Sequence, residues 1–333
     1  MKQFKETKYV SGKDNITFFR NIRKRRVWLP FFISFLVFVF LVVSVIVVLR
    51  DGSRVVLTEV VVSHLQVPES FNGYKILQIS DLLGKEFGDR QKKIKKLLKD
   101  AEYDMVLFTG DFFESPDETD FWAVRDLMEC LRDDVPIYYI VGDNDYIPSN
   151  VDSDSNSWKI CINPAKKTEF MKFFESEYGA KFVYPAQKIT SESGESIYLT
   201  GVSYDKDVLN SMDFDQDVDF SICITHKPIN YNVTRRLKDV NKRTFTEVDY
   251  DLSISGHTLG GQYRIPVLGA VYTPELGLFP DEDDVYGLSS DGNGRFNYIS
   301  GGLGVEQGFR MLSTPEISLI ELQKAEPDIE ADS

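Results

Sequence analysis

Cysteine is scarce in this chain. Its three cysteines, Cys130, Cys161 and Cys223, show no metal-ligand spacing and are too few for a disulfide framework, so neither feature organises the fold. Internal repeats are absent, and positive charge is in deficit: 38 Lys and Arg stand against 52 Asp and Glu, a formal net charge of −14. The few cations are also unevenly spread. Residues 1–26 hold nine basic and two acidic side chains, about +7, which leaves the remainder near −21. That balance argues against nucleic acid or anionic lipid as partners of the folded part.

One long hydrophobic run is present. Val27 to Leu49 is nearly unbroken apolar sequence without a charge. At about 1.5 Å per helical residue it is long enough to cross a hydrocarbon core of about 30 Å. It exceeds a usual signal-peptide apolar region, and Val-Ile-Val-Val-Leu-Arg-Asp has no small-residue cleavage pattern, so an uncleaved transmembrane anchor is expected. The basic stretch before it places the N-terminus in the cytoplasm and everything after Arg50 outside the cell membrane. The expected organisation is a basic cytoplasmic tail at 1–26, an anchor at 27–49, one large domain at 53–322 and an acidic tail at 323–333.

Along the large domain the pattern is strand, polar turn, helix, repeated. Strands are expected over Ser53–Val67, Lys75–Ser80, Met105–Thr109, Val135–Val141, Ile197–Val202 and Phe220–Thr225, with helices over Asp89–Asp100, Asp117–Leu131 and Thr168–Tyr178. The alternation argues for βαβ units whose strand-end loops share one edge. Ser149–Lys166 reads as a polar surface excursion and Tyr263–Pro280 as a turn-filled connection rich in Gly and Pro. His64, inside the first strand, reads as a packed or surface histidine.

The chemistry gathers around Asp251-Leu-Ser-Ile-Ser-Gly-His257-Thr-Leu259-Gly-Gly-Gln262, a strand that ends in a glycine-rich turn. Four other strands also end in acid or histidine: Ser80-Asp81, Gly110-Asp111, Gly142-Asp143 and Thr225-His226. Each alone is an ordinary cap or turn. Together, carboxylates and imidazoles converging on one sheet edge repel one another or go unpaired unless a cation holds them, which is the physical case for a metal site.

The order of these pieces resembles the calcineurin-like metallophosphoesterases, and within them a membrane-anchored bacterial branch that includes UDP-diacylglucosamine pyrophosphatases. The resemblance covers roughly Ser53 to Leu322, including the later Gly301-Gly-Leu-Gly and Pro315-Glu-Ile. It implies a four-layer α/β/β/α sandwich with two metal ions at the strand ends. The family's first metal takes the Asp and His of Asp-X-His, a bridging Asp, and the last His of Gly-His-X-His. Here Asp81 and Asp111 remain, but Leu83 and Leu259 stand at the histidine positions.

The family's second metal is matched by Asp111, Asp143 in place of an asparagine, His226 and His257. Two carboxylates and two imidazoles suit one divalent ion, Zn²⁺, Mn²⁺ or Fe²⁺. The family's leaving-group histidine is Asn144 here, whose amide donates a hydrogen bond but no proton. The resemblance therefore implies a phosphoester or pyrophosphate hydrolase with one surviving metal and weak or altered activity, acting on a phosphorylated envelope lipid, nucleotide or polymer. The alternative is a catalytically silent surface protein that binds a metal or a phosphorylated ligand.

Overall fold

The computed structural model describes residues 28–43, 45, 50, 52–115, 121–145, 168–183, 186–201, 220–229, 250–273, 276–292, 294–306 and 308–326. The chain divides into two units, Met1–Leu49 and Arg50–Ser333. In the first, residues 28–43 and 45 are helical with exposed side chains. Among the described residues no helix is long and apolar enough to cross a membrane, and the rest of the expected 27–49 span lies outside them.

Among its described residues the second unit has two six-stranded sheets and one small three-stranded sheet. The first sheet uses β1 (Val56–His64), β2 (Lys75–Ile79), β3 (Met105–Thr109), β4 (Ile137–Ile140), β5 (Lys181–Phe182) and β15 (Glu316–Lys324) in the order β1-β15-β2-β3-β4-β5. The second uses β6 (Ala186–Thr190), β7 (Ser196–Gly201), β8 (Phe220–Ile224), β9 (Leu252–Ser255), β13 (Gly287–Ser290) and β14 (Phe296–Ile299) in the order β13-β14-β9-β8-β7-β6. The small sheet holds β10 (Tyr263–Ile265), β11 (Gly269–Thr273) and β12 (Gly277–Leu278).

β2, β3 and β4 run parallel, as do β7, β8, β9 and β14, so their carboxyl ends share an edge within each sheet. The strands β2 to β4 are apolar on both faces because both faces are covered. Leu77, Ile79, Val106, Phe108, Ile137 and Tyr139 pack under the helices, whereas Ile76, Met105, Leu107, Tyr138 and Ile140 pack against Leu199, Ile222, Ile224 and Ile254 of the second sheet. The strand period of two sorts these residues between two cores.

The helical layer holds α1 (Lys92–Leu98), α2 (Trp122–Met128) and α3 (Glu169–Tyr178). The last starts where the Thr168 hydroxyl accepts the Met171 N–H at 3.2 Å and stops at Gly179, whose φ of 63° a Cβ would disfavour. Phe170 and Phe174 lay its apolar face on Phe112, with ring centroids 4.8 and 5.4 Å away. Helix, sheet and sheet are thus three of the four expected layers. On the far side of the second sheet, Cys223, Ile229 and Tyr250 form a small apolar cluster, and 202–219 and 230–249 lie outside the described residues.

Two sequence expectations need correcting. Tyr263–Pro280 contains the small sheet as well as turns: its strands are three, five and two residues long, and Pro266, Gly269 and Gly277 cut the pattern below recognisable length. The acidic tail begins later than expected, since β15 continues through Lys324. His64 is packed, lying 5.4 and 6.1 Å from the rings of Phe220 and Phe296 and bonded through Nε2 to Gly294 O at 2.8 Å. The polar excursion expected at 149–166 lies outside the described residues.

Candidate metal centre

Each candidate ligand follows a strand because the strand must end before its loop can turn toward the neighbouring sheet. Asp81 follows β2, Asp111 follows β3, His226 follows β8 and His257 follows β9. The turns are tight. Ten non-glycine residues have left-handed φ among the described residues, and five are here: Asp81, Leu83, Asp111, His257 and Leu259, at 50° to 71°. Strained backbone concentrated at one place marks a functional site rather than ordinary looping.

Two glycines make room for the carboxylates. A Cβ on Gly142 would stand 2.1 Å from Asp111 Oδ1, and one on Gly256 would stand 2.4 Å from Asp81 Oδ2. Across the sheet interface, Gln78 donates its amide to Ser255 O at 2.9 Å and to Thr109 Oγ1 at 3.1 Å, which fixes β2 and β3 against β9 at the site edge.

Asp111, His226 and His257 come together, each offering a donor atom within 4.8 Å of the others. His226 Nδ1 lies 2.9 Å from Thr109 O, an acceptor, so that nitrogen carries the proton. Its Nε2 then points at Asp111 Oδ2 and His257 Nδ1, each 3.2 Å away. A bare nitrogen lone pair facing the Asp111 carboxylate is repulsive; a positive centre between them removes the conflict. The backbone bond to His226 Nδ1 is also the usual way a metal-binding imidazole is oriented. These donors fit a divalent ion.

Electrostatics lead to the same point. Burial alone would lower the His226 pKa, but the Asp111 carboxylate raises it to about 10. Burial alone would raise Asp111, but the His226 imidazole beside it holds it below the usual carboxylate range. Burial, with the charge of His226, keeps His257 well below the ordinary histidine value. Without a metal, the site takes up one positive charge as a proton on His226.

Asp81 serves as a support. Both its carboxylate oxygens accept the His257 backbone N–H, at 3.1 and 3.0 Å, and it also receives the Ser80 hydroxyl. Burial, with Asp111 adding to it, raises its pKa to about 6. Asn144 lies against Asp111, giving its backbone N–H to Oδ1 at 2.9 Å and its amide to Oδ2 at 3.2 Å. Asp143 is not gathered with the three: its carboxylate is paired with the ammonium of Lys227. Leu83 and Leu259 are buried, 3% and 4% exposed, and belong to neither main hydrophobic core.

Three residues that matter here were not legible from the sequence. Lys227 holds Asp143. Asp145 accepts backbone N–H groups from Asp111 at 2.7 Å, Phe112 at 2.7 Å, Phe113 at 3.3 Å and Gly142 at 2.8 Å, tying the β3 and β4 loops together. Arg310 is fully buried and donates to Leu259 O at 3.1 Å, Gly301 O at 2.8 Å, Gly302 O at 3.1 Å and Gly304 O at 2.8 Å. Gly304 N in turn donates to Asp81 O at 2.6 Å, so Arg310 clamps the loops that carry Asp81 and Leu259 from behind. Asp145 alone had a signal, its place in the Gly142-Asp-Asn-Asp145 turn.

Comparison with known proteins finds relatives over the same part of the chain. A family model described as calcineurin-like phosphoesterase matches residues 74–261, which contain every ligand named above. The chain is 25% identical over 271 residues to the uncharacterized metallophosphoesterase YkuE of Bacillus subtilis (strain 168), covering 80% of this chain and 85% of that one. It is 34% identical over 82 residues to phosphodiesterase YaeI of Escherichia coli (strain K12), covering 25% of this chain and 28% of that one.

Proposed function

The chain belongs to the calcineurin-like phosphoesterase family, a family of phosphoric ester hydrolases that bind divalent metals, and from that membership we propose a membrane-anchored, outward-facing phosphoesterase that works with one metal ion. The observation that carries the reading is the convergence of Asp111, His226 and His257 at the strand ends, with His226 oriented by Thr109 O. Zn²⁺, Mn²⁺ or Fe²⁺ suits this mixed carboxylate and imidazole set. Asp143 completes it when its carboxylate leaves Lys227.

A divalent ion at this place supplies a Lewis acid and an acidified water for attack on a phosphoryl centre. The protein's own groups do the rest. Asp81 holds the His257 backbone, Asn144 orients Asp111 by two hydrogen bonds, and Lys227 adds positive charge near bound phosphate oxygens. Asn144 gives no proton to a departing alkoxide, so substrates with acidic leaving groups are favoured over alkyl esters.

The first family site is lost in this reading, with Leu83 and Leu259 facing each other across it. Support comes from their burial and apolar character, which a charged ion would not tolerate. Activity is then weak or altered relative to a two-metal enzyme, since the clamp on both sides of the phosphoryl group is missing. A second reading, a catalytically silent protein that grips metal or a phosphorylated ligand, draws on the same two leucines and on Asn144.

The anchor rests on the apolar run at 27–49 and the basic stretch before it, which also sets the outward orientation. The branch containing UDP-diacylglucosamine pyrophosphatases supplies the first substrates to try, with other phosphorylated envelope lipids, nucleotides and polymers beside them. The deciding measurement is metal per chain and turnover of an aryl phosphodiester, on the detergent-solubilised full chain and its His257→Ala variant. One metal and slow turnover, both lost in the variant, support the hydrolase. Metal without turnover supports the silent reading, and no metal after Mn²⁺ or Zn²⁺ loading overturns both.

A further inference from the structure

Glu316, the first residue of β15, carries a carboxylate that the proposed chemistry does not use, and the residue is 2% exposed. The buried Arg310 guanidinium feels its charge but is bonded to backbone carbonyls instead. Glu316 is held by neutral donors. Its Oε1 accepts the Gly301 N–H at 2.8 Å, and its Oε2 accepts the hydroxyls of Thr58 at 2.6 Å and Tyr286 at 2.8 Å. A carboxylate buried without a directly paired cation costs stability, so each of these bonds matters. Two of the three lead toward the metal centre.

The Gly301 bond leads to Asp81. Glu316 also gives its own N–H to Gly302 O at 3.0 Å, so one residue holds two neighbouring members of this loop. The same loop gives the Leu303 N–H to Ser80 O at 3.1 Å and the Gly304 N–H to Asp81 O at 2.6 Å. Its approach is close: a Cβ on Gly302 would stand 2.9 Å from Asp81 Cβ. Asp81 in turn accepts the His257 backbone N–H.

The Tyr286 bond leads to the other side of His257. Val285 O, next to Tyr286, accepts the Thr258 hydroxyl at 2.6 Å, and Thr258 follows His257 directly in the chain. A Cβ on Gly260 would stand 3.4 Å from Gly301 Cα and 3.5 Å from Tyr286 Cδ2, so the loop, the tyrosine and the turn after His257 meet at one place. Arg264 lies over the Tyr286 ring, 5.0 Å from its centroid, and donates to Gly260 O at 2.7 Å. The Thr58 bond leads elsewhere. Thr58 is in β1, a strand that carries no candidate ligand.

We infer that Glu316 is a positioning residue of the metal centre, fixing His257 from both sides: through Asp81 on its N–H, and through Tyr286, Val285 and Thr258 on the residue that follows it. Arg310 grips the same loop by its carbonyls, whereas Glu316 grips it by an N–H. A metal ligand's outer partners typically change affinity by about 10- to 100-fold when removed. The inference rests on the metal-centre reading for its metal readout alone, because the imidazole is held in place whether or not an ion is bound.

The test compares Tyr286→Phe with Thr58→Val in the detergent-solubilised full chain. Each removes one hydroxyl from the same Glu316 oxygen, so a purely structural Glu316 makes them equivalent. With ¹⁵N-labelled histidine only three imidazoles report by NMR, those of His64, His226 and His257, and no metal is needed. Tyr286→Phe is expected to shift the His257 signals and, by calorimetry, to weaken Mn²⁺ binding about tenfold. Thr58→Val is expected to lower the urea midpoint to a similar extent and to leave both unchanged. Glu316→Met, which removes the acceptor altogether, is expected to shift His257 at least as far as Tyr286→Phe does.

Equal shifts of His257 in the two hydroxyl variants, or none in either, overturn the positioning role. So does a folded Glu316→Met chain with native His257 signals; where that variant does not fold, the hydroxyl pair decides alone. The two readings fail separately. A native chain that takes up no Mn²⁺, while Tyr286→Phe alone still shifts His257, loses the metal centre and keeps the positioning role. Normal Mn²⁺ uptake with His257 unmoved in every variant keeps the metal centre and loses the positioning role.

Discussion

Asp143 gives its carboxylate to the ammonium of Lys227, while Asp111, His226 and His257 converge without it. In the proposed one-metal reading a divalent ion and the ammonium compete for that one carboxylate, so Lys227 would set the affinity of the site. Removing the competing cation should help the metal. Lys227→Met is expected to tighten Mn²⁺ binding about tenfold, or roughly 1.4 kcal/mol, consistent with two charges at close range in a partly buried setting. Asp143→Asn should weaken it by a similar factor. Calorimetric titration of metal-stripped protein reads both, and an unchanged affinity in each would remove Asp143 from the ligand set.

Leu83 and Leu259 hold left-handed backbone, at 50° and 54°, which suits histidine better than leucine. The loops therefore keep a conformation in which a histidine would be less strained than the residue present. The double variant Leu83→His, Leu259→His should raise bound metal from one to two per chain and aryl phosphodiester turnover about a hundredfold, the usual scale for regaining one electrostatic contact to the transition state. Atomic absorption and steady-state rates on the same preparation decide it. A second metal without faster turnover would place the remaining deficit at Asn144.

What the sequence made legible follows from where the information lies. Asp111, His226 and His257 could be found because each comes just after a short apolar run, and a strand end is a local pattern. Lys227 and Arg310 could not. Lys227 meets Asp143 from 84 residues away in the chain, and Arg310 bonds mostly to backbone carbonyls, which leave no trace in residue type. Strands β1 to β4 and β7 to β9 of the large sheets were readable from runs of four to nine residues, whereas β5, β10 and β12, at two, three and two, were too short to show a period.

Among the described residues Arg310 is the largest fully buried side chain, and burial brings even its guanidinium down to about 10. Its value lies in reaching four carbonyls of two loops at once, which a planar fork does and a single ammonium does not. Arg310→Met should destabilise the domain by about 3 to 5 kcal/mol, because several carbonyls lose their donor in a place without water. Arg310→Lys should recover less than half of that. Urea unfolding followed by tyrosine and tryptophan fluorescence gives both numbers, and a cost below about 1 kcal/mol for the methionine variant would show that the loops hold without the clamp.

Asp145 offers a cleaner separation of support from ligation. It touches no member of the converging group by its side chain except through the Asp111 backbone N–H, yet four backbone donors depend on it. Asparagine is nearly the same shape but presents one acceptor oxygen, so its amide group must face N–H groups it cannot receive. Asp145→Asn should therefore cost about 2 to 3 kcal/mol of stability, the range for losing hydrogen bonds to a charged acceptor in a buried place. Metal affinity should fall as well, because Asp111 rides on the loop that Asp145 holds. The stoichiometry should not change: at saturating Mn²⁺ the variant still binds one ion, whereas Asp111→Ala binds none. A variant of Asp145 that lost the ion at every metal concentration, while remaining folded by circular dichroism, would make Asp145 a ligand and move the centre away from His257.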